Sequence, residues 1–304
     1  MIKWHLFERI YVIVQGASMS EEKKVGWSFE VFPPKRTANI SSIYMTLAEL
    51  KKLNPDFISV TYGAGGSENC QATVEIANAV QNNYQMNAVA HLPCIGLTRQ
   101  DVLEQLNRFR EIGVNRILAL RGDKPVSGEF KQGDFEHASD LISFIRAQNY
   151  DLQIYAACYP EKHYEAKTAE EDLDNLKIKV DAGVDGLVSQ LFFSNTYFYD
   201  FIEKVRAKNI NVPVEAGIMP VINCKQIERM VSLCNVKLPK KFTDVMSRFS
   251  DNKEAMLEIG IAYAVDQIID LIANGVDGIH LYTMNNPNVA NRIYEAIKHV
   301  IGRV

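Results

Sequence analysis

A single carboxyl group lies within an aromatic run near the amino terminus, in the segment 27–32 (WSFEVF). If this run is a β-strand, its side chains alternate between two faces, and Glu30 shares the inward face with Ser28. A carboxyl group surrounded by Phe29, Val31 and Phe32 would be costly to ionise, and a protonated carboxyl group is what general acid catalysis requires. The alternative is a structural Glu paired with a Lys or Arg in the core. We favour catalysis, because charged residues are rarely buried without a reason.

Other polar side chains stand late in apolar runs that alternate in the same way. Those that share the inward parity of Glu30 are Ser59, Thr61, His91, Gln190, His280 and Tyr282. In a parallel barrel such residues converge at the carboxyl ends of the strands, where the active site of that fold lies. The sequence therefore predicts one site at that end.

A charged turn, Arg121-Gly122-Asp123, follows another apolar run, and its glycine would let the backbone come close to a ligand. A solvated turn with an internal ion pair is the alternative interpretation. We favour a functional turn because it stands at the carboxyl end of a strand.

A second charged segment, Tyr159–His163, ends a later run. After it, Asp172, Asn175 and Lys179 are spaced by three and four residues, which places them on one helical face. Polar helical faces are usually solvent exposed, so the spacing alone does not assign these three residues a function.

The composition excludes several classes of protein. In the 304 residues, 33 Lys and Arg face 37 Asp and Glu, a formal net charge of −4 that gives no field for binding nucleic acid or a membrane surface. Five cysteines without a C-x-x-C pair are typical of reduced thiols in a cytoplasmic protein. Six histidines without metal-ligand spacing predict no metal site. The glycine cluster at 63–66 lacks the Lys-Ser/Thr of a phosphate-binding loop.

Alternating strands and helices organise the chain. Three Gly-Val pairs, beginning at Gly113, Gly183 and Gly275, close helical patterns just before apolar runs. Runs rich in β-branched and aromatic residues predict eight strands, at 26–32, 56–62, 87–92, 115–120, 152–158, 185–193, 212–219 and 277–283. Eight such units predict an α/β fold, a (β/α)8 TIM barrel. A doubly wound open sheet is the competitor, disfavoured because no G-x-G-x-x-G follows the first strand.

The domain organisation follows from these elements. We expect one catalytic barrel over residues 25–304, with extra helices after the seventh strand, one of them near 239–248, and at the carboxyl terminus. Residues 1–24 are expected to be an amino-terminal extension without a function, since their apolar run is too short for a signal sequence or a membrane span.

Eight segments together resemble the 5,10-methylenetetrahydrofolate reductase family, in its bacterial form with the catalytic barrel only. They are SFEVFPP at 28–34, SVTYG at 59–63, AHL at 90–92, ALRGD at 119–123, ACYPE at 157–161, QLFF at 190–193, GIMP at 217–220 and YTMN at 282–285. The resemblance implies a barrel that uses FAD to pass a hydride from NADH or NADPH to methylenetetrahydrofolate in a ping-pong cycle, feeding methionine synthesis. It also implies a cytoplasmic homo-oligomer.

The resemblance also assigns residues, position by position. Glu30 matches the general acid that opens the folate ring, and Asp123 matches the carboxylate beside the flavin. The matches to substrate-binding residues are Asp123, Gln190, Gln226 and Tyr282. The matches to FAD-binding residues are Thr61, Tyr62, His91, Arg121, Gly122, Asp123, Ala138, Tyr159, His163, Asp172, Asn175 and Lys179. Two positions depart from the family pattern, Met230 in place of an aromatic residue and Asn286 in place of an Arg at the folate tail.

Two other functions remain open at this point. One is another FAD-containing barrel oxidoreductase, similar to proline dehydrogenase, which predicts no acidic residue at the position of Glu30. The other is a pterin-binding barrel that transfers a methyl group without redox chemistry. Bound flavin that NAD(P)H bleaches is expected of the reductase and of the other FAD-containing barrel. It is not expected of the pterin-binding barrel without redox chemistry.

Overall fold

Eight parallel strands form a closed barrel in which each strand pairs with the next and β8 pairs with β1. A computed structural model describes residues 24–34, 41–62, 67–123, 132–234 and 236–302. The strands are β1 (Gly26–Val31), β2 (Phe57–Val60), β3 (Ala88–Pro93), β4 (Arg116–Leu120), β5 (Gln153–Cys158), β6 (Gly186–Ser189), β7 (Val214–Ile218) and β8 (Gly278–Tyr282). Each lies within the range predicted for it to within one residue, and the predicted barrel is confirmed.

Helices connect the strands. They are α1 (Ser41–Lys51), α2 (Ser67–Asn78), α3 (Arg99–Glu111), α4 (Ala138–Ala147), α5 (Ala169–Asp181), α6 (Asn195–Ala207), α7 (Cys224–Cys234), α8 (Lys240–Phe249), α9 (Lys253–Ala273) and α10 (Pro287–Ile297). Three of them, α7 to α9, occupy the long connection after β7, as predicted, and α10 follows β8. None of the helices in the described ranges is long and apolar enough to cross a membrane.

Two helices begin at threonines whose caps differ. At α3, Thr98 and Asp101 form a reciprocal capping box. At α5, the Thr168 side chain accepts a hydrogen bond from Glu171 N, but the Glu171 carboxylate accepts one from Lys167 N instead of Thr168 N. The box at Thr168 is therefore only half formed. The predicted extension, apart from Lys24, and the glycine cluster at 63–66 lie outside the described residues.

The two faces of the strands build different cores. The outward face of β1 contributes Trp27, Phe29 and Val31 to a large apolar layer between strands and helices. Inside the barrel a small second cluster contains Phe57, Val89, Leu118 and Val188, with Leu120 and Tyr155 packed against it. The rest of the interior wall is polar, because β1 and β8 place Ser28 and His280 there, both fully buried. The barrel interior thus has one polar wall, formed by β1 and β8, and this wall extends toward the carboxyl ends of the strands.

Aspartates at the starts of three strands tie the barrel together at its amino-terminal end. Asp56, Asp185 and Asp277 each precede a strand and accept a hydrogen bond from a backbone N–H of the preceding strand. The donors are Trp27 N at 2.8 Å, Ile154 N at 2.7 Å and Val214 N at 2.9 Å, respectively. Asp185 and Asp277 each follow one of the Gly-Val pairs described above. Asp185 also forms an ion pair with Arg146, and Asp277 forms one with Arg206.

We predict that Asp277→Ala lowers the free energy of unfolding by about 1–3 kcal/mol, because Val214 N and Arg206 both lose a partly buried, charged acceptor. Urea denaturation measures this change. The matched control is Asp244→Ala, which removes an exposed pair with Lys240 on α8 and should change stability by no more than about 0.5 kcal/mol. Equal effects of the two variants would contradict this assignment.

Candidate active site

A cavity of about 390 Å³ opens at the carboxyl ends of the strands. Nine of the residues that line it carry polar side chains or belong to the charged turn, and all nine are among those predicted from the sequence: Glu30, His91, Arg121, Gly122, Asp123, Tyr159, His163, Gln190 and Tyr282. The remaining lining residues are apolar, Leu118, Leu120, Ala157 and Val188. The site thus combines an apolar floor with a polar rim.

Glu30 lies on the inward face of β1, as predicted, and its side chain is 20 % exposed. Its surroundings differ from the prediction, because Phe29 and Val31 point away from it into the outer core. Two histidines take their place. Glu30 Oε2 lies 3.5 Å from His91 Nε2 and 3.9 Å from His280 Nε2. The carboxyl group is therefore held against imidazole rings, not against phenyl rings.

His91 contributes no positive charge to this pair near neutral pH. Burial lowers its pKa to about 4, and the nearby Glu30 carboxylate offsets only part of that effect. Among the described residues, His91 Nε2 is a buried nitrogen without a hydrogen-bond partner. A buried polar atom that faces a cavity in this way is a point at which a ligand would be bound.

The charged turn does not contain the internal ion pair considered above. Arg121 instead forms a two-pronged pair with the carboxylate of Glu165, one prong at 2.9 Å, and this partner holds the pKa of Arg121 above its usual value. Gly122 takes φ +86° between Arg121 and Asp123. The exposed Asp123 is left at the rim of the cavity.

Aromatic rings and a buried lysine form the far wall. Tyr159 packs edge-on against His163, with ring centroids 4.6 Å apart, and burial raises the pKa of Tyr159 above its ordinary value. Lys179 reaches from α5 to donate a hydrogen bond to Ala157 O at 2.7 Å, and burial lowers its pKa. Asp172, on the same helical face, accepts a hydrogen bond from His163 N at 3.0 Å.

The polar face of α5 therefore belongs to the site only in part. Asp172 and Lys179 turn toward β5, whereas Asn175 is exposed on the helix. Asp172 also lines a second cavity of about 210 Å³, which shares Tyr159 with the first. The two cavities form neighbouring compartments on either side of the Tyr159 ring.

Like Asp172, Asn175 and Lys179, three further predicted residues are absent from the lining of the main cavity. Thr61 is half-buried, and its carbonyl oxygen accepts a hydrogen bond from Thr73. Tyr62 OH lies 3.5 Å from Gln105 Nε2. Ala138 is buried as the first residue of α4. Gln226 belongs to α7, and its side chain lies outside the described part of the chain.

Two of the residues predicted to bind substrate are held by hydrogen bonds. Gln190 Oε1 accepts from Leu191 N at 2.9 Å, and Tyr282 OH donates to Ser189 O at 2.7 Å. Burial, followed by the nearby Glu30 carboxylate, raises the pKa of Tyr282. The two positions that depart from the family pattern can both be located in the structure. Met230 packs at the edge of an apolar cluster, and Asn286 caps α10.

Sequence reasoning missed two kinds of residue. The apolar floor residues Leu118 and Leu120 share an inward parity on β4, so the rule that found the polar residues could have found them too. Glu215 on β7 and its contact with Ser28 were missed because the contact joins residues 187 positions apart. Only the closure of the barrel brings them together.

A barrel with a mixed polar and apolar cavity at the carboxyl ends of its strands is the usual layout of a TIM-barrel enzyme. The family model for methylenetetrahydrofolate reductase matches residues 16–298 of this chain. The chain therefore belongs to the methylenetetrahydrofolate reductase family.

Individual relatives agree with this assignment. The chain is 34% identical over 279 residues to 5,10-methylenetetrahydrofolate reductase of Pectobacterium carotovorum, and covers 91% of that protein with 92% of its own length. It is 34% identical over 287 residues to methylenetetrahydrofolate reductase 1 of Schizosaccharomyces pombe, with 93% of this chain and 46% of that protein covered. The chain thus spans about half the length of the yeast and plant relatives it matches.

Solved structures share the fold at low identity. An uncharacterized protein from Clostridium thermocellum that binds two copies of 5-methyl-5,6,7,8-tetrahydrofolic acid superposes with a TM-score of 0.61 at 13% identity, covering 97% of this chain and 99% of that chain. A dihydropteroate synthase from Coxiella burnetii, in complex with pteroic acid, gives a TM-score of 0.54 at 10% identity, covering 91% and 93%. At these identities the likeness concerns the fold alone.

We predict that Gly122→Ala destabilises the protein by about 2–4 kcal/mol, because a Cβ there would lie 2.9 Å from Ile95 Cγ2 in addition to the backbone strain. Gly113→Ala is the control. It has a similar positive φ but no atom within 4 Å of the new Cβ, so it should cost about 1 kcal/mol. Urea denaturation of both variants measures the difference, and equal costs would refute the close packing of the charged turn.

Proposed function

We propose that this protein reduces 5,10-methylenetetrahydrofolate to 5-methyltetrahydrofolate, with FAD as its cofactor and NADH or NADPH as the reductant. The observation that carries the proposal is the position of Glu30, a carboxyl group that lines the cavity together with Gln190 and Asp123 in a member of this family. The two substrates would use this one cavity in turn, in a ping-pong cycle that supplies methyl groups for methionine synthesis.

The residues of the cavity are suited to a flavin. The apolar floor of Leu118, Leu120, Ala157 and Val188 suits a flat aromatic ring system, and buried His91 Nε2 offers a polar atom at its edge. The second cavity adjoins the first at Tyr159. It is lined by two lysines, Lys162 and Lys204, and two aspartates, Asp172 and Asp200, and so offers polar partners for the remainder of a dinucleotide. A single-ring ligand would leave that compartment unused.

Several side chains would hold the cofactor. His91, Tyr159 and His163 would contact its ring system and its neighbourhood, and Arg121 and Lys179 would face its phosphates. Bound flavin would supply the two-electron carrier that takes a hydride from the nicotinamide and delivers it to the folate.

Glu30 would carry out the proton chemistry. Its protonated carboxyl group donates a proton to the ring nitrogen of methylenetetrahydrofolate, the five-membered ring opens, and an iminium at N5 becomes the hydride acceptor. Because His91 is neutral near pH 7, no imidazolium at that position favours ionisation of Glu30. Asp123, at the rim, would hold the pterin ring and disfavour anionic reduced flavin through its negative charge.

Purified protein tests the proposal directly. A yellow protein that NADH or NADPH bleaches without oxygen, and that methylenetetrahydrofolate then reoxidises, would support it. A colourless protein that binds folate would favour a pterin-binding barrel without redox chemistry. A yellow protein that folate does not reoxidise would favour a different flavin barrel.

We predict that Glu30→Gln keeps the flavin and its reduction by NAD(P)H but slows reoxidation by methylenetetrahydrofolate by about 10²-fold or more, because only the second half-reaction needs the proton. Anaerobic stopped-flow absorbance measures the two half-reactions separately. Glu104→Gln, on the outside of the barrel in α3, is the control and should leave both rates unchanged. Equal losses in both half-reactions would rule out the general-acid role.

We predict that Asp123→Asn raises the flavin reduction potential by about 20–30 mV, which corresponds to about 1 kcal/mol for a two-electron couple, and weakens folate binding. Removal of a negative charge favours the anionic reduced flavin, which explains the direction. Spectroelectrochemical titration measures the potential, with Asp151→Asn before β5 as a charge-matched control at the other end of the barrel. An unchanged potential in Asp123→Asn would count against the electrostatic role.

A further inference from the structure

A line of hydrogen bonds runs through the barrel interior below Glu30. Ser28 Oγ donates to the carboxylate of Glu215 and lies 2.7 Å from His280 Nδ1. On the other side of the imidazole, Ser59 Oγ lies 3.3 Å from His280 Nε2, the nitrogen that is 3.9 Å from Glu30 Oε2. We call Glu215, Ser28 and His280 the axial chain. It connects a carboxylate near the bottom of the barrel with the carboxyl group at the top.

Glycines on β8 and β1 leave room for the Glu215 side chain in the barrel interior. On β8, which pairs with β7, a Cβ at Gly278 would lie 3.0 Å from Glu215 Cγ, and on β1, the strand after β8 around the barrel, one at Gly26 would lie 3.5 Å from Glu215 Oε1. Tyr155 is close enough for the carboxylate to raise its pKa, after burial, to about 12. The Glu215 side chain is only 13% exposed. A charge that is kept in such a place needs partners, and the axial chain supplies them.

With Glu215 ionised, the proton count gives one arrangement of the chain. A serine hydroxyl has one proton, and the nearest acceptor for Ser28 is the Glu215 carboxylate; the Ile279 carbonyl oxygen is farther, at 3.4 Å. Ser28 Oγ must then accept a hydrogen bond from His280, so Nδ1 carries the imidazole proton. Nε2 is left with its lone pair, accepts from Ser59 and faces Glu30.

We propose that Glu215 is a positioning residue for the general acid: through Ser28 it fixes the His280 tautomer in which the Nε2 lone pair, and not an N–H, faces the Glu30 carboxyl group. The inference rests on the role of Glu30 proposed above. An N–H at Nε2 would instead stabilise the Glu30 carboxylate, and a second negative charge on the same axis also disfavours its ionisation. Both effects of Glu215 therefore act in one direction.

Other titratable groups near the two carboxyl groups are few within the described ranges. Glu30 is faced by His91 from β3 and by His280 and Tyr282 from β8. Glu215 is faced by His280 and, across the interior, by Tyr155. The remaining titratable groups that line the cavity are Arg121, Asp123, Tyr159 and His163. None of these four remaining groups is altered in the variants below.

The test is the pH profile of the folate half-reaction, measured with pre-reduced enzyme. In the wild type the rate falls as the pH rises and Glu30 loses its proton. In Glu215→Gln the midpoint of this fall should move about one pH unit lower, so the rate drops near neutral pH and returns to the wild-type value in acid. Ser28→Ala, which keeps the charge but breaks the chain, should move the midpoint in the same direction by less.

Controls separate this role from a structural one. Tyr263→Phe removes a part-buried hydroxyl that donates to Phe193 O and takes no part in the axial chain, and its profile should match the wild type. A rate that is lowered equally at every pH in Glu215→Gln would overturn the proposal, as would an unchanged midpoint. A shift in Glu215→Gln without one in Ser28→Ala would overturn the path through Ser28 and His280.

A spectroscopic measurement tests the tautomer without turnover. ¹⁵N chemical shifts of histidine-labelled wild-type protein should show His280 as a neutral ring protonated at Nδ1, with the signal assigned by its loss in His280→Gln. A doubly protonated ring or a proton on Nε2 would overturn the proposal. If reduced wild-type protein is not reoxidised by methylenetetrahydrofolate, the proposed function fails. If Glu30→Gln reduces folate normally, the general-acid role of Glu30 fails. If Glu30→Gln is inactive toward folate while the midpoint is unchanged in Glu215→Gln, only the present inference fails.

Discussion

A carboxyl group that is buried inside a β-barrel loses its hydrogen bonds to water, so side chains of the barrel must replace them. This requirement governs the arrangement of the interior of the protein. Two carboxyl groups, Glu30 and Glu215, lie on one side of the barrel, and His280 lies between them. The serines Ser28 and Ser59 fill the hydrogen-bonding positions of that imidazole. The apolar part of the interior needs no such compensation and contains Phe57, Val89, Leu118 and Val188; the Phe57 ring stacks on His280 with centroids 5.7 Å apart.

Strand register places the polar groups at regular heights. Along β8, Gly278, His280 and Tyr282 are two residues apart and point to the same interior. They stand level with Gly26, Ser28 and Glu30 of β1, and the first stands level with Glu215 of β7. A one-residue slip of β8 would turn His280 into the outer apolar layer and leave both carboxyl groups without their shared partner. The same hydrogen bonds between strands that close the barrel thus also hold the site.

The sequence predicts the parts of the site that depend on a local rule. Period-two alternation places Glu30, His91, Gln190 and Tyr282 correctly at the cavity, because burial on one face of a strand follows from the neighbours in sequence. The same rule cannot say which residues from distant strands touch. The partners of Glu30 therefore differ from the predicted phenyl rings, and the Arg121 ion pair is made with Glu165, 44 residues away, instead of Asp123.

The two cations near the cavity differ in how their charge is balanced, and this difference bears on ligand binding. Arg121 already has a carboxylate partner in Glu165, so an anionic ligand would have to replace one ion pair with another. Lys179 donates to a neutral carbonyl oxygen, and burial lowers its pKa, an effect that Cys158 and then Asp172 offset only in part. A phosphate placed beside Lys179 would restore that lost stabilisation, since an opposite charge favours the ammonium form. The α5 face that spacing alone could not assign thus holds a positive charge that an anionic ligand would stabilise.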